Sequence, residues 1–111
     1  PHTPHYFVGG DPKILDACRA GACGFISAAA NTSPALYTAI EEALREKNSS
    51  PAQTLQEEIS AVAGTFSGPL AIPKIKHAVS HRLPGFPPSV RPPMTLLPRE
   101  EAEKVDSFLG R

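Results

Sequence analysis

Two histidines near the start of the chain, His2 and His5, are three residues apart, a spacing that could bring both to one metal ion. Zinc sites usually need three or four ligands, and no acidic residue or third ligand stands near this pair in the sequence. We therefore expect ordinary histidines, exposed to solvent or at a strand edge, and predict no metal site. Gly9-Gly10 is a different candidate, because two glycines let a ligand approach the backbone closely. This run is too short for a dinucleotide fingerprint, which needs three spaced glycines, and Gly10 could equally belong to a turn.

Two cysteines and one basic helix face are weaker candidates. Cys18 and Cys23 lie five residues apart in or beside buried-type segments, which favours reduced thiols over a structural disulfide. A later segment could bind an anion, but a solvated helix face explains the same residues, which are Lys74, Lys76, His77, His81 and Arg82. The chain carries 11 basic and 11 acidic residues, so it lacks the basic surplus that is typical of nucleic-acid and anionic-membrane binders.

Length and composition bound what the chain can be. Its 111 residues are enough for one domain. No run approaches the ~20 apolar residues that span a bilayer, and no segment resembles a secretory signal, so we expect a cytoplasmic protein without a membrane partner. The only methionine is Met94, so the chain does not begin at its own initiator, and we expect the C-terminal part of a larger enzyme.

Four elements must position the two glycines. A β-prone run at residues 6–8 stops at them, and Asp11-Pro12 then opens a helix whose free N–H groups the Asp11 side chain could cap. A second buried-looking strand covers residues 24–27, and Ser33-Pro34 starts another helix, to residue 47, by the same pattern. Strand, helix, strand and helix with short joints predict a βαβα unit. Its strands should be parallel, and its functional loops should lie at their C-terminal ends.

Three further helices are predicted downstream. One runs from Pro51 to about residue 64, and a second begins at Pro69, or nearer Pro73, and ends at about residue 83. The proline-rich segment that follows should be extended, with polyproline-like pieces, and the last helix begins after Pro98 and ends at Gly110.

Several short motifs resemble, in order, the pattern of the dihydrodipicolinate synthase / N-acetylneuraminate lyase family. Gly10-Asp11, Leu15-Asp16, Gly21-Ala22-Cys23-Gly24-Phe25-Ile26-Ser27 and Ala30-Asn31 match its G-D…L…G-A-x-G-x-I-S-x-x-A-N pattern. Residues 72–76 are similar to its I-P-x-x-K segment, and residues 91–94 to its R-x-P-[LM] segment. The order and the gaps agree from residue 6 to residue 109, which makes the set more specific than any one piece.

This resemblance implies an α/β fold, the C-terminal portion of a (β/α)8 TIM barrel followed by a C-terminal helical extension. Residues 1–47 would be the last two βα units of the barrel, and residues 48–111 the helical extension. Family members form a Schiff base between a lysine and pyruvate or another 2-oxo acid, and then make or cleave a carbon–carbon bond. The protonated imine withdraws electrons and stabilises the enamine at the adjacent carbon. The resemblance thus implies a class I aldolase or lyase, homo-oligomeric and without a further cofactor.

The same resemblance assigns the site residues. The Schiff-base lysine and a catalytic tyrosine would both precede residue 1, so we expect no catalytic residue in this chain and no activity from it alone. Gly10 would line the 2-oxo acid site, and the backbone carbonyl of Ile26 would face the lysine. Asp11 and Ser27 match positions where sugar-acid lyases bind substrate hydroxyls. Pro12 stands where those lyases carry a second acid, which argues against sialic acid as the substrate.

Simpler roles remain open for these residues, and other functions remain open for the chain. Asp11 could be only a helix cap, and Ile26 only a core strand residue. The five lysines all lie on predicted helices, so none is a credible imine former: Lys13, Lys47, Lys74, Lys76 and Lys104. The alternative to an enzyme is a non-catalytic barrel relative that serves as a scaffold or regulatory subunit. A free-standing helical interaction module is a weaker third hypothesis.

Overall fold

The computed structural model of the chain describes residues 4–110. The described residues form two compact units, one that ends at Ala63 and one that begins at Gly64. The first unit carries the strands and every site residue that the sequence predicts, and the second unit consists of two helices and the proline-rich segment between them. The predicted division of the chain between residues 47 and 48, into barrel units and a helical extension, stays a prediction.

The first unit contains a parallel pair of strands, β1 (Phe7–Val8) and β2 (Gly24–Phe25), with Phe7 opposite Gly24 and Val8 opposite Phe25. The ladder extends by one hydrogen bond at each end. The Cys23 N–H donates to the Tyr6 carbonyl over 2.8 Å, and the Ile26 N–H donates to the Val8 carbonyl over 2.9 Å. The predicted parallel pairing is therefore confirmed, and the regular strands are shorter than predicted.

Three helices complete the first unit, α1 (Ile14–Arg19), α2 (Pro34–Arg45) and α3 (Ser49–Thr65), and the last two residues of α3 belong to the second unit. Gly21 follows α1 with φ of 108°, the left-handed conformation that glycine adopts readily at a helix end. The prediction that α2 continues to residue 47 was wrong. It ends at Arg45, and Lys47 lies in the following turn with φ of 56°. The α3 helix begins two residues before Pro51, because the Ala52 N–H already bonds to the Asn48 carbonyl.

The core of the first unit lies between these three helices. Each helix contributes one fully buried isoleucine, Ile14 from α1, Ile40 from α2 and Ile59 from α3, and Tyr37 joins them. Full burial of one such side chain contributes roughly 1.5–3 kcal/mol, so the three isoleucines are a large part of what holds α1 to α3. The apolar spacing of the sequence predicts this face on each helix.

The second unit contains α4 (Ala71–Arg82) and α5 (Arg99–Leu109), with no helix or strand between Leu83 and Pro98. The predicted helices are confirmed, and the segment between them is irregular, as its prolines predict. Lys74 of α4 and Glu101 of α5 form an ion pair over 3.7 Å. Across both units, no helix among residues 4–110 is long and apolar enough to cross a membrane.

The first turn of the helical region after β1 is capped by a side chain from α3. The Asp11 carboxylate makes no capping hydrogen bond, so the prediction of Asp11 as a helix cap was wrong. Instead, Gln56 Oε1 accepts from the Leu15 N–H over 2.8 Å, and Gln56 Nε2 donates to the Asp11 carbonyl over 3.0 Å. Ser33 likewise makes no side-chain cap bond, although Pro34 opens α2 as predicted. Gln56 thus satisfies one of the N–H donors that a helix start leaves unpaired, and it gives a second bond to the Asp11 carbonyl, which also accepts the Ile14 N–H.

Replacement of Gln56 by leucine should destabilise the protein. Gln56→Leu leaves the buried Leu15 N–H without its partner and removes one of the two bonds to the Asp11 carbonyl, which keeps the bond from the Ile14 N–H. An unpaired buried group costs about 1–3 kcal/mol and the lost second bond about 1 kcal/mol, so we expect a loss of about 2–4 kcal/mol in the free energy of unfolding, measured by urea denaturation. The matched control is Gln53→Leu, an exposed glutamine on the same helix. An equal loss in both variants would contradict the capping role of Gln56.

Candidate functional site

One carboxylate at the end of β1 gathers the polar groups of the first unit. Asp11 is only 9% exposed, and its Oδ2 accepts two hydrogen bonds, from the Ser27 hydroxyl over 2.6 Å and from the Tyr37 hydroxyl over 2.7 Å. Burial of a carboxylate is costly unless hydrogen bonds replace the lost water. The two hydroxyl donors supply those bonds at distances typical of donation to a charged oxygen.

Ser27 holds its hydroxyl in place by a second bond. It follows β2, as Asp11 follows β1, so the two residues leave adjacent parallel strands at the same end. The Ser27 oxygen accepts the Ala30 N–H over 3.1 Å, at the start of a 3-10 turn that spans Ala29–Asn31. Because that N–H fixes the serine oxygen, the hydroxyl hydrogen is directed to Asp11. The sequence resemblance selected both residues, and the structure brings them into contact.

Tyr37 packs in the core of the first unit and also bonds to the Asp11 carboxylate. Its side chain on α2 is 4% exposed, and its ring lies 6.0 Å from that of Phe25 at an angle of 49°. Burial, together with the hydrogen bond to Asp11, raises the pKa of Tyr37 well above its usual range. The hydroxyl therefore stays protonated and remains a donor. Sequence reasoning missed this contact, because nothing in the spacing pairs Tyr37 with a residue 26 positions earlier.

Gly10 and Ile26 flank the Asp11–Ser27 pair. Gly10 has φ of −106° and ψ of 106°, a conformation open to any residue, and its carbonyl accepts the Lys13 N–H over 2.9 Å, so it does belong to a turn. The Ile26 side chain is 71% exposed among the described residues, so these residues do not bury it, and the alternative of a core strand residue stays a prediction. Its backbone N–H extends the strand ladder, and its side chain projects from the core instead of entering it.

The remaining predicted candidates lie elsewhere. His2 is outside the described residues, and His5 Nδ1 contacts Cys23 Sγ over 3.1 Å, before β2 and therefore at the opposite end of the strand from Ser27. Cys18 and Cys23 are both free thiols. Two surface clefts of the described residues, of about 540 and 690 Å³, contain none of the four predicted substrate-binding residues. The candidate site is thus an open edge at two strand ends.

Of the five lysines, Lys13 lies in the turn that begins at Asp11, and the other four lie further along the chain. Lys13 closes the 3-10 turn at Asp11–Lys13, Lys47 lies in the turn after α2, and the other three lie on α4 and α5. In α/β barrels the reacting groups come from the C-terminal ends of the strands. The site as described can hold and orient a hydroxyl-bearing ligand through a buried carboxylate. It supplies no amine of its own for imine formation.

Comparisons with known proteins identify the family and the fold. Residues 3–111 match the dihydrodipicolinate synthetase family. A solved structure of dihydrodipicolinate synthase from the commensal bacterium Bacteroides thetaiotaomicron superposes with a TM-score of 0.83 and 22% sequence identity. That match covers 96% of this chain and 37% of the other, so the chain spans just over a third of the length of the protein it matches. No curated protein matches the chain.

The structural match shows the fold, and the family match extends over nearly the whole chain, from the strands that carry Asp11 and Ser27 to the last helix. The family match agrees with the ordered motifs and with the parallel strand pair. The chain belongs to the dihydrodipicolinate synthetase family.

Proposed function

We propose that the chain is the C-terminal part of a lysine Schiff-base aldolase or lyase that acts on pyruvate or another 2-oxo acid, including sugar acids. In this proposal its strands are the last two of a (β/α)8 barrel, with residues 48–111 as the helical extension. The observation that carries the proposal is the contact between Asp11 and Ser27 at the C-terminal ends of two adjacent parallel strands, in a chain of this family. A cytoplasmic homo-oligomer belongs to the same proposal.

The exposed strand residues support the barrel. Parallel strands are normally buried on both faces, and two of them alone make a weak sheet. Here Tyr6 is 46% exposed, Phe7 57% and Ile26 71%. In the proposed enzyme, the strands that precede this chain cover these side chains and close the barrel. The matched synthase, of which this chain covers 37%, has a length that leaves room for them.

The proposed reaction starts on a lysine outside these residues. Its amine attacks the carbonyl carbon of the 2-oxo acid, water leaves, and the protonated imine draws electrons from the adjacent carbon. Loss of a proton, or cleavage of the carbon–carbon bond there, gives an enamine. This chain would contribute the wall of the pocket, with Gly10 along the 2-oxo acid and the Ile26 carbonyl toward the lysine.

Asp11 and Ser27 would bind the hydroxyl-bearing part of the substrate. Both recorded hydrogen bonds of the Asp11 side chain use Oδ2, so Oδ1 is the oxygen that would accept a bond from a substrate hydroxyl. Ser27 and Tyr37 would hold the carboxylate in a fixed orientation for that contact. A preorganised acceptor of this kind binds a hydroxyl without the cost of ordering it first.

Trapping with borohydride tests the Schiff base. Incubation of the whole protein with pyruvate and sodium borohydride should reduce the imine and leave a pyruvate-derived group on one lysine, found by peptide mass spectrometry. The modified lysine should lie outside these 111 residues, and protein treated with borohydride alone should be unmodified.

Two results would contradict the proposed chemistry. A folded whole protein that traps no adduct would favour the alternative, a non-catalytic barrel relative that acts as a scaffold or regulatory subunit. An adduct on one of the five lysines of this chain would show that the pocket has been assigned to the wrong residues.

Replacement of Asp11 by asparagine should reduce selectivity for hydroxylated substrates. The amide oxygen can still accept the Ser27 and Tyr37 hydroxyls, but the place of Oδ1 is then taken by an NH2 group, which cannot accept a bond from a substrate hydroxyl. We expect the ratio of kcat/KM for aldol addition of pyruvate to glyceraldehyde and to propanal to fall about 10- to 100-fold in Asp11→Asn, the loss of one hydrogen bond to a charged group.

The control for this variant is Asp16→Asn, which removes an exposed carboxylate from α1, five residues from the site. It should leave the ratio unchanged. An Asp11→Asn enzyme with a wild-type ratio would show that Asp11 has a structural role only.

A further inference from the structure

A second polar cluster lies in the second unit, apart from the strand ends. His77 and His81 stand one helical turn apart on α4, and Asp106 faces them from α5. The Asp106 Oδ1 lies 2.7 Å from His77 Nε2 and 2.9 Å from His81 Nε2. The two Nε2 atoms are 3.4 Å apart. Three atoms that can each ligate a metal therefore converge on one point.

Hydrogen bonds alone leave crowded donors or opposed lone pairs among these three side chains. If both rings donate from Nε2 to the same Asp106 oxygen, their two N–H groups converge on it and the two donor nitrogens are crowded to 3.4 Å. If one ring presents an unprotonated Nε2, that lone pair lies 2.7–2.9 Å from a carboxylate oxygen, which is repulsive. One cation between the three atoms would remove either conflict, because all three would then point lone pairs at a positive charge.

The spacing of the three atoms matches a metal site. Zinc binds histidine nitrogen and carboxylate oxygen at about 2.0–2.1 Å, which places tetrahedral ligands about 3.3 Å apart and octahedral ligands about 2.9 Å apart. The observed separations are 2.7, 2.9 and 3.4 Å, so a bound ion needs movements of a few tenths of an ångström. Two histidines at i and i+4 on one helix face are a recurrent zinc-binding arrangement.

Neighbouring contacts hold the two helices at this separation. Ala78 and Val105, each adjacent in sequence to a member of the cluster, are 2% and 1% exposed. The Lys74–Glu101 ion pair joins the same two helices one turn away. The cluster itself is open to solvent, with side-chain exposures of 23% for His77, 52% for His81 and 46% for Asp106. An ion can therefore enter from water, and water can complete its coordination.

We propose that His77, His81 and Asp106 bind one divalent transition-metal ion of the zinc type, which joins α4 to α5. Imidazole and carboxylate ligands suit zinc and its first-row neighbours, and they suit calcium or magnesium poorly because those ions take oxygen ligands. Three protein ligands leave at least one position for water. The sequence shows the spacing of the two histidines, but Asp106 follows His81 by 25 residues, so only the packing of α5 on α4 reveals the third ligand.

The test is a metal titration of the whole protein, without a polyhistidine tag and after treatment with a chelator. Calorimetry with Zn²⁺ should show one ion per chain. His77→Ala, His81→Ala and Asp106→Asn should each weaken Zn²⁺ binding by about tenfold or more. Circular dichroism of each metal-free variant checks that it folds. The matched control is the double variant His5→Ala/Cys23→Ser, which removes the other histidine contact and should bind Zn²⁺ as the unchanged protein does.

A second measurement does not depend on any variant. Co²⁺ in the unchanged protein should give visible ligand-field bands without the near-ultraviolet band of a cobalt–thiolate bond, because the proposed ligands are nitrogen and oxygen. The proposal is overturned by the absence of Zn²⁺ binding or by binding that survives in Asp106→Asn. It is also overturned by a thiolate band that disappears with Cys23, which would place the ion at His5 and Cys23.

Discussion

The buried carboxylate of Asp11 is the constraint that organises the first unit. A charge that is 9% exposed must be compensated, and the compensation comes from residues far apart in the sequence. Ser27 and Tyr37 donate to the side chain, and Gln56 donates to the backbone carbonyl of the same residue. Through these three contacts Asp11 joins the end of β1 to the end of β2, to α2 and to α3. The same contacts leave the carboxylate rigid and at a strand end, where a ligand can reach it.

In this unit the helices are more completely buried than the strands. The isoleucines of α1, α2 and α3 are fully buried against one another, so the three helices enclose a hydrophobic core. The strand side exposes Phe7 and Ile26, although both belong to a parallel pair that ordinarily lies between two layers. The first unit therefore has a buried helical face and a solvent-exposed strand face.

The second unit rests on the packing of α4 and α5. Its buried residues are few, and polar contacts between the helices are correspondingly prominent, with an ion pair and a shared carboxylate that accepts from two histidines. Exposed pairs of this kind contribute little to stability by themselves. Their value lies in geometry, since they bring nitrogen and oxygen atoms from two helices to one place. The basic face that the sequence suggests on α4 is thus partly an acid-histidine cluster with α5.

The sequence by itself determined the order of the main strands and helices and the parallel pairing of the strands. These follow from local chemistry, because apolar periodicity, prolines and glycines act over a few residues. The resemblance of the ordered motifs gave the family, and it selected Gly10, Asp11, Ile26 and Ser27 as candidates. Only the tertiary structure decided what the side chains do. The sequence left Asp11 open as a helix cap or a substrate contact, whereas in the structure Gln56 bonds to the helix start and the Asp11 carboxylate accepts from Ser27 and Tyr37. Partners 16, 26 or 45 residues apart meet only when the helices pack, since no local pattern encodes a contact over such distances.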